Sequence, residues 1–170
     1  MDASRGVSIV DYKLEKQFVK SMAYHFNISP SGPRAAAAIY AENPQTIVGF
    51  TDTKFNEKID SAVLLGTPRR LDRALDKVAE ILSTSPAILK IVVLLTAGKE
   101  TADPLTISNI AKKFRQLGTQ NFFVSIGHQP VKEKEKLKII TRNIFEVNSS
   151  GNLPSMAMPL AKKIHERSGK

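Results

Sequence analysis

Between residues 11 and 26 the apolar positions Leu14, Phe18, Val19, Met22 and Phe26 recur at three- and four-residue steps, which predicts an amphipathic helix with one buried face. Residues 27–33 end it. Residues 34–41 contain four consecutive alanines followed by Ile39 and Tyr40 and read as helix on propensity alone. Gly32-Pro33 before them, Asn43-Pro44 after them and the strand-like residues 45–50 point instead to a hairpin whose first strand packs too closely for large side chains. Helical spacing returns at residues 54–65 (Phe55, Ile59, Val63, Leu64, with Thr53 as a cap) and at residues 71–82 (Leu71, Leu75, Val78, Ala79, Leu82). Residues 87–95 are apolar except for Lys90, the pattern of a parallel strand buried on both faces. Asp103-Pro104 opens a helix that Gly118 closes, and residues 121–126 form a second buried strand. A charged helix over 131–141, a strand over 144–147 and a helix over 154–167 complete the alternation. It predicts a single α/β domain over residues 1–170, with a doubly wound, mainly parallel sheet and helices on both faces.

Composition narrows the function classes. The 170 residues include no cysteine, which removes zinc-finger, iron–sulfur and disulfide-framework chemistry. Twenty-five Lys and Arg against sixteen Asp and Glu give a net charge of +9 and bias encounters toward polyanions. The basic clusters are Lys112, Lys113 and Arg115; Lys132, Lys134, Lys136 and Lys138; and Lys162, Lys163 and Arg167. Each has two readings, a solvated helix face or a surface for a heparin-like polysaccharide, and Lys112, Lys113 and Arg115 are the candidates for the latter. Glu133 and Glu135 stand at pairing distance from Lys136 and Lys138. No helix-turn-helix, ribonucleoprotein or zinc motif accompanies the charge, which argues against nucleic acid. The uninterrupted apolar run Ile91 to Leu95 is too short for membrane insertion, and the first residues have no signal-peptide pattern.

A nucleotide site finds little support. The GxGxxG fingerprint is absent, and Gly98-Lys99-Glu100 fails as a phosphate loop, because Val93 stands where glycine is needed and Glu100 where a hydroxyl is needed. His25, His128 and His165 are scattered and read as surface or partly packed residues. The sharpest local pattern is Asp2-Ala3-Ser4-Arg5-Gly6 ahead of a helix, since a carboxylate and a hydroxyl two residues apart on a turn can aim oxygens at one hard cation.

Taken together, Asp2-Ala3-Ser4-Arg5-Gly6, Phe18-Val19-Lys20, residues 34–40, Leu71-Asp72-Arg73-Ala74-Leu75, residues 92–99 and residues 122–127 resemble successive blocks of a von Willebrand factor type A domain, closest to the A-type modules of collagen type VI alpha chains. The resemblance implies a Rossmann-like sheet and, in many members, a divalent cation held by an Asp-x-Ser-x-Ser loop, a Thr and a later Asp. Asp2 and Ser4 match the first two ligands, but Gly6 replaces the second Ser and Ala97 the later Asp. Arg69 falls at the Thr position, with Thr67 available if the loop shifts. The expected metal site is therefore a degenerate remnant of Asp2, Ser4 and Thr67, with weak or absent cation binding and no cofactor. Either Arg69 or Arg70 replaces the ion by a salt bridge to Asp2, or both are solvated.

The family's first, central strand precedes the Asp-x-Ser loop, whereas here only Met1 does, so the expectation is an N-terminally truncated sheet. Residues 35–40 and 88–95, apolar on both faces, would then flank the missing strand. The functional expectation is a noncatalytic module of the extracellular matrix. It would mediate adhesion or assembly with matrix proteins or other collagen chains, without a working metal site. Asn27-Ile28-Ser29 and Asn148-Ser149-Ser150 fit the glycosylation triplet. The rival readings are a glycosaminoglycan-binding domain and a soluble Rossmann-like enzyme with a polar pocket at the carboxyl edge of the strands.

Overall fold

The computed structural model describes residues 1–98, 102–128 and 131–169. Its order is α1 (Ile9–His25), β1 (Ala37–Ile39), β2 (Gln45–Val48), α2 (Phe55–Ser61), α3 (Leu71–Ser83), β3 (Lys90–Thr96), α4 (Pro104–Gln116), β4 (Thr119–Ile126), α5 (Val131–Lys138), β5 (Ile144–Val147), a short 3-10 turn (Ser150–Asn152) and α6 (Leu153–Ser168). Strands β3, β4 and β5 form a parallel sheet in that order, while β1 and β2 form a separate antiparallel hairpin. The doubly wound α/β class expected from the alternation is therefore the class observed.

Two apolar layers sandwich the sheet, because alternate residues of a strand point to opposite faces. Leu95 of β3 and Phe122, Val124 and Ile126 of β4 pack with Phe18 and Met22 of α1 and with Leu160 and Ile164 of α6. Leu94 and Phe123 pack the other way, with Leu71 and Leu75 of α3 and Ile107, Ile110 and Phe114 of α4. The continuous apolar runs of β3 and β4 thus have one cause: both faces are covered.

Local chemistry sets several boundaries. The Ser8 hydroxyl caps α1 by accepting from the Asp11 N–H at 3.0 Å. The Asp103 carboxylate caps α4 by accepting from the N–H groups of Leu105 and Thr106 at 2.9 and 3.0 Å, with Pro104 in the first turn. Gly118 then reverses the chain at φ +67°, a conformation that favours glycine.

Three expectations need correction. β3 starts at Lys90, not residue 87, because its partner β4 starts at Thr119 opposite Lys90; upstream of that pair Ile88 is fully exposed. α2 stops at Ser61, since Ala62 is already extended, and Val63 is exposed. Thr53 does not cap it; Lys54 holds the cap position without a side-chain hydrogen bond.

Candidate functional site

Residues 1–3 reach the site by pairing with the end of β1. The Tyr40 N–H donates to the Met1 carbonyl at 3.0 Å and the Ala3 N–H to the Tyr40 carbonyl at 2.8 Å, placing Asp2 in a parallel bridge with Tyr40. This fixes Asp2 beside the carboxyl end of β3, to which the Tyr40 hydroxyl also binds by donating to the Leu95 carbonyl at 3.0 Å. Asp2 is completely buried. A buried carboxylate is stable only when its oxygens are satisfied, and here three donors do so. Oδ1 accepts from the Ser4 N–H at 3.1 Å; Oδ2 accepts from the Ala97 N–H at 3.1 Å and from Arg69 Nε at 2.6 Å. Arg69 Nη2 also donates to the Ala97 carbonyl at 2.5 Å.

Of the two arginines considered from the sequence, Arg69 is the one that meets Asp2. Its side chain is 10% exposed, so the pair is shielded from water. Arg70 turns to Asp72 and holds both of its oxygens, from Nε at 2.9 Å and Nη2 at 2.6 Å, which keeps the Asp72 carboxyl below its ordinary range. Gly98 is required by this packing. Its φ is +137°, and a Cβ there would lie 2.5 Å from Arg69 Nη1. At Gly6 a Cβ would stand 3.5 Å from Arg69 Nη2, an ordinary contact.

The remaining candidates separate. The buried Ser4 hydroxyl has no hydrogen-bond partner among the described residues. The Thr67 hydroxyl accepts from the Glu42 N–H at 3.2 Å, and its carbonyl accepts from the Arg5 N–H. Lys99 and Glu100, weighed as part of a phosphate loop, lie outside the described residues. His25 and His165 are half-buried and His128 is exposed, with the His165 ring 4.8 Å from that of Phe26. Two surface depressions, of about 270 and 580 Å³, are lined by other residues, among them Glu146 and Ser155 in the first and Asn121 and Arg142 in the second. Neither includes Asp2, Ser4 or Arg69.

Lys112, Lys113 and Arg115 are exposed near the end of α4. The Lys90–Thr119 pairing puts that end at the amino edge of the sheet, opposite the Asp2 site. Lys113 pairs with Asp76 at 2.7 Å across to α3. The expected Glu135–Lys138 pair forms at 2.6 Å, and Lys134 reaches Glu146 at 2.7 Å.

One buried group escaped the sequence reading. Glu15 lies completely buried on α1, and its Oε2 accepts from the Asp2 N–H at 2.8 Å, while Oε1 has no partner among the described residues. Burial pushes its carboxyl up to about 8, against the downward pull of the Met1 ammonium. Desolvation lowers that ammonium in turn. The signal was present: Tyr12, Glu15, Phe18 and Met22 follow one helical stripe, so an acid sits where an apolar residue is expected.

Residues 1–158 match the family model of the von Willebrand factor type A domain. No curated protein matches the chain. Among solved structures, proximal thread matrix protein 1 from the mussel byssus superposes with a TM-score of 0.84 at 21% identity, covering 95% of this chain and 44% of that one. A form of the same mussel protein with a zinc-occupied MIDAS motif gives 0.81 at 21% identity, over 95% and 45%. A von Willebrand factor type A protein from Catenulispora acidiphila gives 0.73 at 14% identity, over 88% and 37%. The chain thus spans less than half the length of these similar structures.

Two outcomes follow from the site. Arg69→Ala leaves Asp2 buried without its counter-charge and is expected to cost about 3–5 kcal/mol in urea unfolding; Arg69→Lys should recover only part, because a point charge cannot bond Asp2 and Ala97 in the same fork. Glu15 has a folded-state pKa above its unfolded one, so its stabilising contribution is complete below the unfolded value and is lost as pH rises toward 8. The difference between parent and Glu15→Gln unfolding curves should therefore shift in favour of the Gln variant from pH 5 to pH 8. A pH-independent difference would show that Glu15 titrates normally.

Proposed function

The chain belongs to the von Willebrand factor type A domain family, and from that premise we propose that it is a noncatalytic interaction module of an extracellular matrix whose adhesive face works without a bound metal ion. Domains of this family generally mediate protein–protein interaction and are typically not enzymes. The finer reading rests on one observation, the Arg69 guanidinium 2.6 Å from Asp2. A divalent cation such as magnesium needs near-octahedral oxygen ligation at about 2.0–2.1 Å. The donors at hand are one carboxylate and the Ser4 hydroxyl. Gly6 and Ala97 offer no side-chain oxygen, and no group of three or more His, Cys, Asp or Glu side chains placed to hold a metal ion occurs among the described residues. The donor set does not fit the ion, and its positive charge is supplied by a side chain instead.

Matrix proteins, including other collagen chains, are the partners this reading favours. The mussel byssus likeness agrees with a matrix setting but shows the fold alone. No helix among the described residues is long and apolar enough to cross a membrane. A second reading, attachment to a heparin-like polysaccharide, is favoured by Lys112 and Arg115, which are exposed and have no ion-pair partner among the described residues. The exposed Lys113–Asp76 pair is worth only about 0–1 kcal/mol and would yield readily to a sulfate.

Calorimetric titration with magnesium or manganese should show no saturable binding at micromolar concentrations, and combining Gly6→Ser, Ala97→Asp and Arg69→Thr should create it. A one-site isotherm with the unaltered chain would overturn the metal-independent reading. For the polysaccharide, replacing Lys112, Lys113 and Arg115 by Gln should move elution from heparin to lower salt, since released counterions drive such contacts. Unchanged elution would return the cluster to a solvated helix face.

A further inference from the structure

In a β-strand the N–H and C=O of one residue point to the same side, and alternate residues share that side. The Asn143 carbonyl accepts from the Phe123 N–H at 2.9 Å and the Val147 carbonyl from the Gly127 N–H at 2.8 Å, so the odd-numbered residues of β5 turn their backbone to β4. Ile144 and Glu146 therefore turn theirs outward. Among the described residues β5 pairs with β4 alone, which leaves these groups on the open edge of the parallel sheet. Residues 1–3 lie two strands away, beside the end of β3.

The side chains along this edge are self-complementary. Arg142, two residues before Ile144, is exposed and has no ion-pair partner among the described residues. Glu146, two residues after Ile144, has a side chain 54% exposed; Lys134 holds one of its oxygens at 2.7 Å, and a carboxylate has room for a second cation. In a second, antiparallel copy turned about a twofold axis at Ile144, the two Ile144 residues face each other as a hydrogen-bonded pair, and each Arg142 meets the Glu146 of the other copy. Other registers lose this match. A shift by one residue sets outward backbone groups against inward ones, a shift by two sets a charge opposite Ile144, and a shift by four sets Glu146 opposite Glu146 or Arg142 opposite Arg142. Ser155, Met156 and Pro159 of α6 line a depression with Glu146, Val147 and Asn148, and the neighbouring Met158 is 64% exposed, so apolar surface borders the same edge.

We propose that β5 is the contact through which two copies of this chain pair edge to edge, antiparallel about Ile144, in a closed twofold dimer whose sheet runs through both. The strand is four residues long and flanked by charges, features that restrain an exposed edge from indiscriminate pairing. The opposed charges select the register, and the short strand keeps the association weak.

The test uses the full chain. Sedimentation should show a monomer–dimer equilibrium that moves toward dimer as concentration rises to about 1 mM, the range of weak pairing. The amides of Ile144 and Glu146 should exchange more slowly over the same range, a readout that needs no variant. Arg142→Glu and Glu146→Arg each set like charges opposite at both ends of the pair and should weaken association by roughly tenfold or more. Both side chains are exposed, so the unfolding midpoints should match the parent's. An equimolar mixture of the two variants should recover the dimer, and so should the double variant, because each restores opposite charges at both ends. A chain that stays monomeric throughout, a dimer indifferent to both charge reversals, variants that do not recover on mixing, or species that grow beyond a dimer would overturn the proposal.

Discussion

Asp2 is the constraint on which the upper edge of the molecule depends. A completely buried carboxylate must be matched by donors, and its partners come from four places in the sequence: the turn at Ser4, the loop before α3 at Arg69, the end of β3 at Ala97 and, through its own N–H, α1 at Glu15. These elements approach one another because one charged group requires all of them. The conformation at Gly98 belongs to the same constraint, since only a residue without a side chain leaves room for the guanidinium.

A tethered cation differs from a free one in its thermodynamics. A guanidinium is present at every cation concentration and keeps its charge across the pH range. Its bonds to Asp2 and Ala97 tie the loop before α3 to the strand end. A dissociable ion leaves such a loop free to respond to occupancy; a covalently attached charge does not. Beside the pair, Glu15 is an opposite case, an acid held where burial disfavours its charge, and the buried hydroxyls of Ser4 and Tyr12 have no hydrogen-bond partner among the described residues. The region is specified by paired and unpaired polar groups alike, within an otherwise apolar layer.

The same few residues also divide the sheet. Met1 to Ala3 pair with Tyr40, and Tyr40 in turn bonds to Leu95, so the hairpin and the parallel sheet are linked at one end by side chains and by three residues of backbone. Further along, Ile91 and Val93 are less buried than Val92 and Leu94 on the same strand. Their apolar character is that of an interior strand, and among the described residues β3 has only β4 as a paired strand.

Periodicity determined the alternation of helices and strands and the burial of β3 and β4, because repeats of 3.6 and 2 residues and continuous apolar runs record which faces are covered, while the breakers Gly32-Pro33 and Asn43-Pro44 gave the alanine-rich hairpin. The residues of the Asp2 loop and the family resemblance were legible for a similar reason: they are local. Boundaries that depend on a distant partner were not, as with the start of β3, set by Thr119 across the sheet. Nor was the choice between a paired Arg69 and a solvated one, since sixty-seven positions separate it from Asp2 and only folding closes that distance to 2.6 Å. Glu15 was hidden because a charged side chain on an apolar stripe reads as a break in the pattern. Its partner is the backbone N–H of residue 2, a group that every sequence position shares and that tertiary structure alone assigns.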